Sequence, residues 1–294
     1  MGPRLFLYLT FLFALSLTAC GAPENSAESA APPESPSAPA TVASEAAGPD
    51  LATVVAGEHR SEANRARDIY RHPVETLQFF GIEPDMTVVE IWPSGGWYSE
   101  ILGPYLNAAG TYIAAHFDAN SEMEFVRKSV AAYEEKLAAR PDLYGSTQMS
   151  VLMPPDIWAT APEDSVDLIV AFRNIHNWMP RGYTDDMFAE FYKILKPGGV
   201  LGVVEHRGDP AVEQDPKAES GYVNEAYAIA LAEAAGFVLE AKSEINANPA
   251  DTKDYEAGVW TLPPTFRKKD EDKERYLAIG ESDRFTLKFR KPAA

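Results

Sequence analysis

The chain has 294 residues, a length that corresponds to about two domains at roughly 100 to 200 residues each. Its 26 Lys and Arg against 44 Asp and Glu leave a formal charge of −18 and no basic run beyond Arg267-Lys268-Lys269, which argues against nucleic acid as a partner. A single cysteine, Cys20, excludes intramolecular disulfides and cysteine-based zinc sites.

At the amino terminus, Arg4 precedes an uncharged apolar stretch, residues 5–17, of secretory-signal length and short for a membrane span. The stretch ends in Leu17-Thr18-Ala19-Cys20-Gly21, which resembles the lipobox of bacterial lipoproteins. That resemblance implies a signal peptide over 1–19, lipidation of Cys20, and a protein anchored to the membrane in the cell envelope, facing the periplasm. Gly21 rather than Asp after the cysteine points to the outer membrane by enteric sorting rules. Residues 24–50 are an Ala/Pro/Ser/Glu tract with one Val, unable to bury enough surface to offset chain entropy, so 20–50 reads as a lipidated cysteine and disordered tether. The folded part is then 51–294, and it fits one large domain as easily as two.

From there strand and helix patterns alternate. An amphipathic stretch, Glu62 to Phe80, ends at Gly81, and Thr87 to Trp92 reads as a buried strand broken by Pro93-Ser94-Gly95-Gly96. A helix over Trp97 to Leu106 and a strand over Thr111 to His116 follow. Ser121 with Glu124 forms a capping box opening a helix to about Arg140. Gln148 to Met153 and Val166 to Phe172 are strands; Thr184 caps a helix to Leu195, closed by Lys196-Pro197-Gly198-Gly199. Val200 to Glu205, Phe237 to Ile245 and Phe285 to Arg290 complete seven strands, with a helix over Val223 to Ala235. Strands separated by helices predict an α/β, Rossmann-like, doubly wound and mostly parallel sheet, with the last strand antiparallel because no strong helical pattern precedes it. Ligands in such sheets collect at the carboxyl ends of the strands.

Three strings stand at those ends: Glu90-Ile91-Trp92-Pro93-Ser94-Gly95-Gly96, Asp167-Leu168-Ile169-Val170 leading to Ile175-His176-Asn177-Trp178, and Leu195-Lys196-Pro197-Gly198-Gly199. With Ala234-Ala235-Gly236-Phe237, they make the chain resemble the class I S-adenosylmethionine-dependent methyltransferases over roughly residues 65 to 290. The stretch from Arg67-Asp68-Ile69-Tyr70-Arg71-His72-Pro73 to Gly96-Trp97-Tyr98 is similar, more narrowly, to a bacterial group of predicted, often exported methyltransferases.

The resemblance implies S-adenosylmethionine as methyl donor and an unidentified small-molecule or lipid acceptor. It places Glu90 as the acid ending the first strand and Ser94, Gly95 and Gly96 in the cofactor turn. Trp92 stands where the first glycine is expected, so the indole must point away or reshape the pocket. The ribose hydroxyls fall to Asp118 or to His116, and the adenine to the segment Pro155-Asp156-Ile157-Trp158. Arg173, Asn174 and His176 after the fourth strand stand where the acceptor is met, and His176 or His206 is the candidate base, with Glu205 near enough to set a tautomer. The aromatic segment 246–264 and Tyr70-Arg71-His72-Pro73 are the expected cover. A second reading, a non-catalytic ligand-binding lipoprotein on the same fold, follows from Trp92. A metal site built from His116, His176 and His206 lacks ligand spacing, and no metal is expected.

Overall fold

The computed structural model describes residues 48–158 and 160–293; the signal segment 1–19, Cys20 and the tether as far as residue 47 lie outside the described residues. Helix α1 (Leu51–Ala56) opens with Asp50 as its cap, the carboxylate accepting from Thr53 N at 2.9 Å, so the last tether position already serves the fold. The stretch expected as one amphipathic helix is three: α2 (Glu62–Arg65), α3 (Asp68–Arg71) and α4 (Pro73–Phe80). His72 at φ 39 breaks it, and Pro73, which has no N–H to offer a preceding turn, starts α4 afresh.

Next come β1 (Thr87–Ile91), α5 (Ser99–Leu106), β2 (Thr111–His116), α6 (Glu124–Ala139), α7 (Pro141–Tyr144) and β3 (Gln148–Val151). They are followed by β4 (Val166–Phe172), α8 (Ile175–Trp178), α9 (Thr184–Ile194), β5 (Leu195–His206), α10 (Glu225–Ala234), β6 (Val238–Ser243), α11 (Lys273–Ile279) and β7 (Arg284–Arg290). Two expected caps are corrected. Ser121 closes a local turn by accepting from Met123 N, and α6 starts after Met123 without a side-chain cap. Thr184 is the first helical residue of α9 rather than its cap. The charged run from Arg267 to Arg275 ends inside α11, a helix whose apolar pattern is weak because only Tyr276 is buried.

The sheet runs β3-β2-β1-β4-β5-β7-β6. The first five strands are parallel, and β7 inserts antiparallel to both β5 and β6, as the missing crossover helix predicts. Side chains alternate through β1: Val89 and Ile91 enter one apolar layer with Phe188, Phe191 and Phe289, and Val88 enters the other with Leu77, Phe80 and Ile101. Period two puts Glu90 on the second face, beneath α5. Strand order reverses between β1 and β4, and their adjacent carboxyl ends open the crevice that holds the site.

Candidate functional site

The turn leaving β1 adopts the left-handed region at alternate residues: Trp92 at φ 48, Ser94 at φ 54 and Gly96 at φ 75. These are the positions a three-glycine turn would occupy, and two carry side chains that disfavour this conformation by about 1 kcal/mol or more each. Contacts from elsewhere hold the turn. The Trp92 indole donates through Nε1 to Leu152 O at 2.9 Å and packs on Phe117 and Trp178, with centroids 4.8 and 6.1 Å away. His116 Nε2 donates to Ser94 O at 3.4 Å, and Lys136 Nζ donates to Gly95 O and Gly96 O at 3.0 and 3.1 Å. At Gly96 a Cβ would sit 3.0 Å from Tyr133 in addition to the φ requirement, whereas a Cβ at Gly95 would meet nothing.

Trp92 and Ser94 border two clefts. The first, about 220 Å³, is polar and includes Asn64, Arg67, Arg71, Glu90, Gly95 and Arg173. The second, about 240 Å³, is more apolar, with Phe117, Phe125, Met153 and Tyr183 beside Asn174 and Arg181. Glu90 is 3% exposed, and its Oε2 accepts from Tyr112 Oη at 2.5 Å and Ser99 Oγ at 3.1 Å. Its Oε1 has no hydrogen-bond partner among the described residues. Burial pushes this carboxyl up to about 7, outweighing the hydrogen bonds that pull it down.

Several expected contributors fall elsewhere. His116 is 0% exposed and lines neither cleft; Nδ1 accepts from Phe117 N at 2.7 Å, so both ring nitrogens are engaged in bracing the turn. Burial also lowers its pKa. Asp118, one residue past Phe117, closes a turn by accepting from Asn120 N at 2.8 Å. The second cleft touches Met153 and Pro154 rather than Pro155-Asp156-Ile157-Trp158. Asn174 donates from Nδ2 to Ile91 O at 2.8 Å, tying the end of β4 to the end of β1.

A third cleft, about 210 Å³, lies past β4 and β5 and contains His176, His206, Arg173, Arg284, Trp260 and Glu281. His176 Nδ1 donates to Glu205 Oε1 at 3.0 Å, and the His176 amide donates to Oε2 of the same carboxylate at 3.3 Å. A carboxylate on Nδ1 leaves the lone pair on Nε2, the arrangement of a positioned base. His206 pairs with Ser282 Oγ at 2.6 Å, and burial, then His176 and Arg284, hold its pKa well below the usual range. Ligand atoms of His176, Glu205 and His206 lie within 4.8 Å of one another, so the histidine set that converges omits His116 and gains Glu205. Arginines in the same cleft oppose a cation there.

The arginine group escaped the sequence reading. Arg67 Nε donates to Glu281 Oε1 at 2.6 Å, Arg71 Nε donates to Oε2 at 3.2 Å, and Arg284 donates to the same oxygen. Burial works to raise the Glu281 pKa, yet Arg284, Arg71 and Arg67 together hold it to about 2. Arg67 with Arg71, four apart, and Glu281 with Arg284, three apart, were the available local signals. The two expected cover segments do meet here: Arg71 comes from one, Val259, Trp260 and Pro263 from the other.

No protein-family model matches the sequence, and no curated protein matches it. The fold is similar to that of a SAM dependent methyltransferase from Aquifex aeolicus, with TM-score 0.51 and 16% identity over 82% of this chain and 98% of that one. It is also similar to the [4+2]-cyclase SpnF, with TM-score 0.57 and 15% identity over 81% and 86% of the two chains. Haemonchus contortus phosphoethanolamine N-methyltransferase 2, solved in complex with S-adenosyl-L-methionine, matches with TM-score 0.50 and 15% identity over 76% of this chain and 53% of that one. At these identities the likeness establishes the fold: an α/β, Rossmann-like methyltransferase sheet.

Proposed function

We propose that the protein transfers a methyl group from S-adenosylmethionine to a small-molecule or lipid acceptor. The observation that carries this reading is the turn behind Glu90, which keeps the left-handed backbone at all three alternate positions although two are not glycine. The flanking clefts suit the two ends of the donor. Glu90, whose Oε1 has no hydrogen-bond partner among the described residues, lines the polar cleft and would take the donor's ammonium; Phe117 and Met153 in the apolar cleft would take the adenine. Asp118 is assigned to the ribose hydroxyls in preference to His116, whose nitrogens are both engaged.

When bound, S-adenosylmethionine supplies a methyl carbon to the acceptor's lone pair while the electrons of the carbon–sulfur bond return to sulfur. The residues of the third cleft supply the rest. His176 Nε2 accepts the acceptor's proton, and Glu205 holds the ring and offsets the charge it gains. His206, kept neutral by burial and its cationic neighbours, packs beside His176 with ring centroids 5.3 Å apart. Cys20 would anchor this domain to the membrane of the cell envelope.

Trp92 and Ser94 in place of two turn glycines favour a second reading, a ligand-binding lipoprotein without methyl transfer; a cyclase on this fold illustrates that architecture does not dictate chemistry. Calorimetric titration of the full-length protein with S-adenosylmethionine and S-adenosylhomocysteine tests both. Binding of both ligands, lost in Glu90→Ala and kept in His176→Ala, is expected; absence of heat at millimolar ligand overturns the methyltransferase reading.

A further inference from the structure

We propose that the third cleft is an oxyanion site and that the methyl acceptor carries a carboxylate or phosphate group, an inference that rests on the methyltransferase reading and narrows its substrate. In a chain of formal charge −18, this one cleft gathers the guanidinium groups of Arg67, Arg71, Arg173 and Arg284 around a single lining carboxylate, Glu281. Three of the four already share that carboxylate. Arg173 has no carboxylate partner among the described residues, and the buried Nε of Arg284 has no acceptor there. Glu205 is committed to His176 and to the amide of His206.

The backbone presents Arg173 deliberately. Its φ is 59, a conformation unfavourable for a side chain of this size, and it is sustained by its amide donating to Val204 O at 2.7 Å and by Asn177 Nδ2 donating to its carbonyl at 3.3 Å. The guanidinium consequently stands where the first and third clefts meet. Burial, then repulsion from Arg284, lowers its pKa to about 10, with Glu281 offsetting part of the shift. Planar guanidinium forks match the oxygens of carboxylate and phosphate.

The opposite wall is apolar. Val259, Trp260, Pro263 and Pro264 line it, and Arg267 stacks over the Trp260 ring at 4.5 Å. An acceptor lying here sets its anionic group on the arginines, its carbon skeleton along Trp260, and its nucleophile beside His176, whose ring centroid is 6.1 Å from that of Trp260. Arg67, Arg71 and Arg173 line the first cleft as well, and Arg284 and Trp260 line only the third, so these two set the role apart from recognition of the donor's own carboxylate.

The test uses the full-length protein saturated with S-adenosylhomocysteine and titrated calorimetrically with inorganic phosphate, with hexanoate, and with monomeric short-chain phosphatidylglycerol. Saturable binding of at least one anion is expected, weakened roughly 30-fold or more by Arg173→Gln, the usual loss for removing one partner of a buried charge pair. Arg173→Lys, which keeps the charge and loses the fork, should fall between. Tighter binding of phosphatidylglycerol than of phosphate identifies a lipid-borne acceptor; the reverse identifies a soluble one. The inference is overturned if no anion binds, if the anion competes with S-adenosylhomocysteine, or if Arg173→Gln binds like the parent. If S-adenosylhomocysteine itself fails to bind, the methyltransferase reading falls, and anion binding alone then leaves no acceptor role to assign.

Discussion

Replacing Glu90 by Gln should make the ligand-free protein more stable and the cofactor site useless. The carboxyl is 3% exposed and its pKa stands at about 7, raised from 4.5 chiefly by burial. A raised pKa means the folded state binds more protons than the unfolded state between those two values, so stability contributed by this group falls as pH rises through the window from 4.5 to 7. At about 1.4 kcal/mol per unit, the charged carboxylate costs the fold about 3 kcal/mol above the window and under 1 kcal/mol near pH 5. Gln keeps the acceptor for Tyr112 and Ser99 without the charge. The expected signature is a stability gain for Glu90→Gln that is about 2 to 3 kcal/mol larger at pH 8 than at pH 5, or roughly 5 to 10 °C in melting temperature for a domain of this size. Urea unfolding at both pH values reads it, and calorimetry with S-adenosylhomocysteine reads the lost affinity. A gain independent of pH would refute the buried-carboxylate argument, and retained affinity would refute the role of Glu90 toward the donor's ammonium.

Four further outcomes are expected. His176→Ala should lower methyl incorporation from labelled S-adenosylmethionine into envelope extracts by roughly 10²- to 10⁴-fold, the range for losing a positioned base, with donor affinity unchanged. Lys136→Met removes the donor to Gly95 O and Gly96 O and should weaken S-adenosylhomocysteine binding about tenfold by calorimetry, by the loss of charge-assisted hydrogen bonds. Trp92→Gly relieves about 1 kcal/mol of backbone strain but empties a buried indole site, worth about 3 to 5 kcal/mol, so denaturant unfolding should show a net loss and a gain would overturn that weighing. Cys20→Ala should move the protein from the membrane pellet to the soluble fraction, and continued sedimentation would refute the anchor.

The strands were legible because they are buried on both faces: Val166 to Phe172 is a nearly unbroken apolar run, and its bounds and those of Thr111 to His116 match the structure residue for residue. The helical stretch from 62 to 80 was not legible as three pieces, since its apolar period continues across both the gap at 66–67 and the left-handed His72 ahead of Pro73. The two caps failed for different reasons: the Ser121 hydroxyl is taken by Met123 N in a local turn, and Thr184 lies one residue inside the helix it was expected to cap. His176 and Glu205 were identified from strand ends alone, because a parallel sheet carries adjacent strand ends to one edge whatever the loops do. Arg173 was named from its place after β4, but Arg67, Arg71 and Arg284 were missed as a group because their local spacing is ordinary; their meaning lies in convergence onto Glu281, for Arg67 and Arg71 across more than two hundred positions.

The turn after β1 shows why a glycine pattern is an incomplete proxy for a glycine geometry. Glycine is common at such positions because left-handed φ is open to it without strain, yet what a ligand meets is the backbone path. Here that path survives with Trp92 and Ser94 because the strain is offset at a distance: the indole is held by Leu152 O on the β3 side, the Ser94 carbonyl by His116 and the Gly95 and Gly96 carbonyls by Lys136. Only Gly96, pressed against Tyr133, has no such freedom. The substitution that most weakens the family resemblance in the sequence thus leaves the cradle standing, and its consequence is displaced to the pocket wall, where Trp92 lines both the polar cleft and the apolar one. On the methyltransferase reading a donor spanning both clefts lies against Trp92, so an indole rather than a glycine shapes the wall the two ends of the donor share.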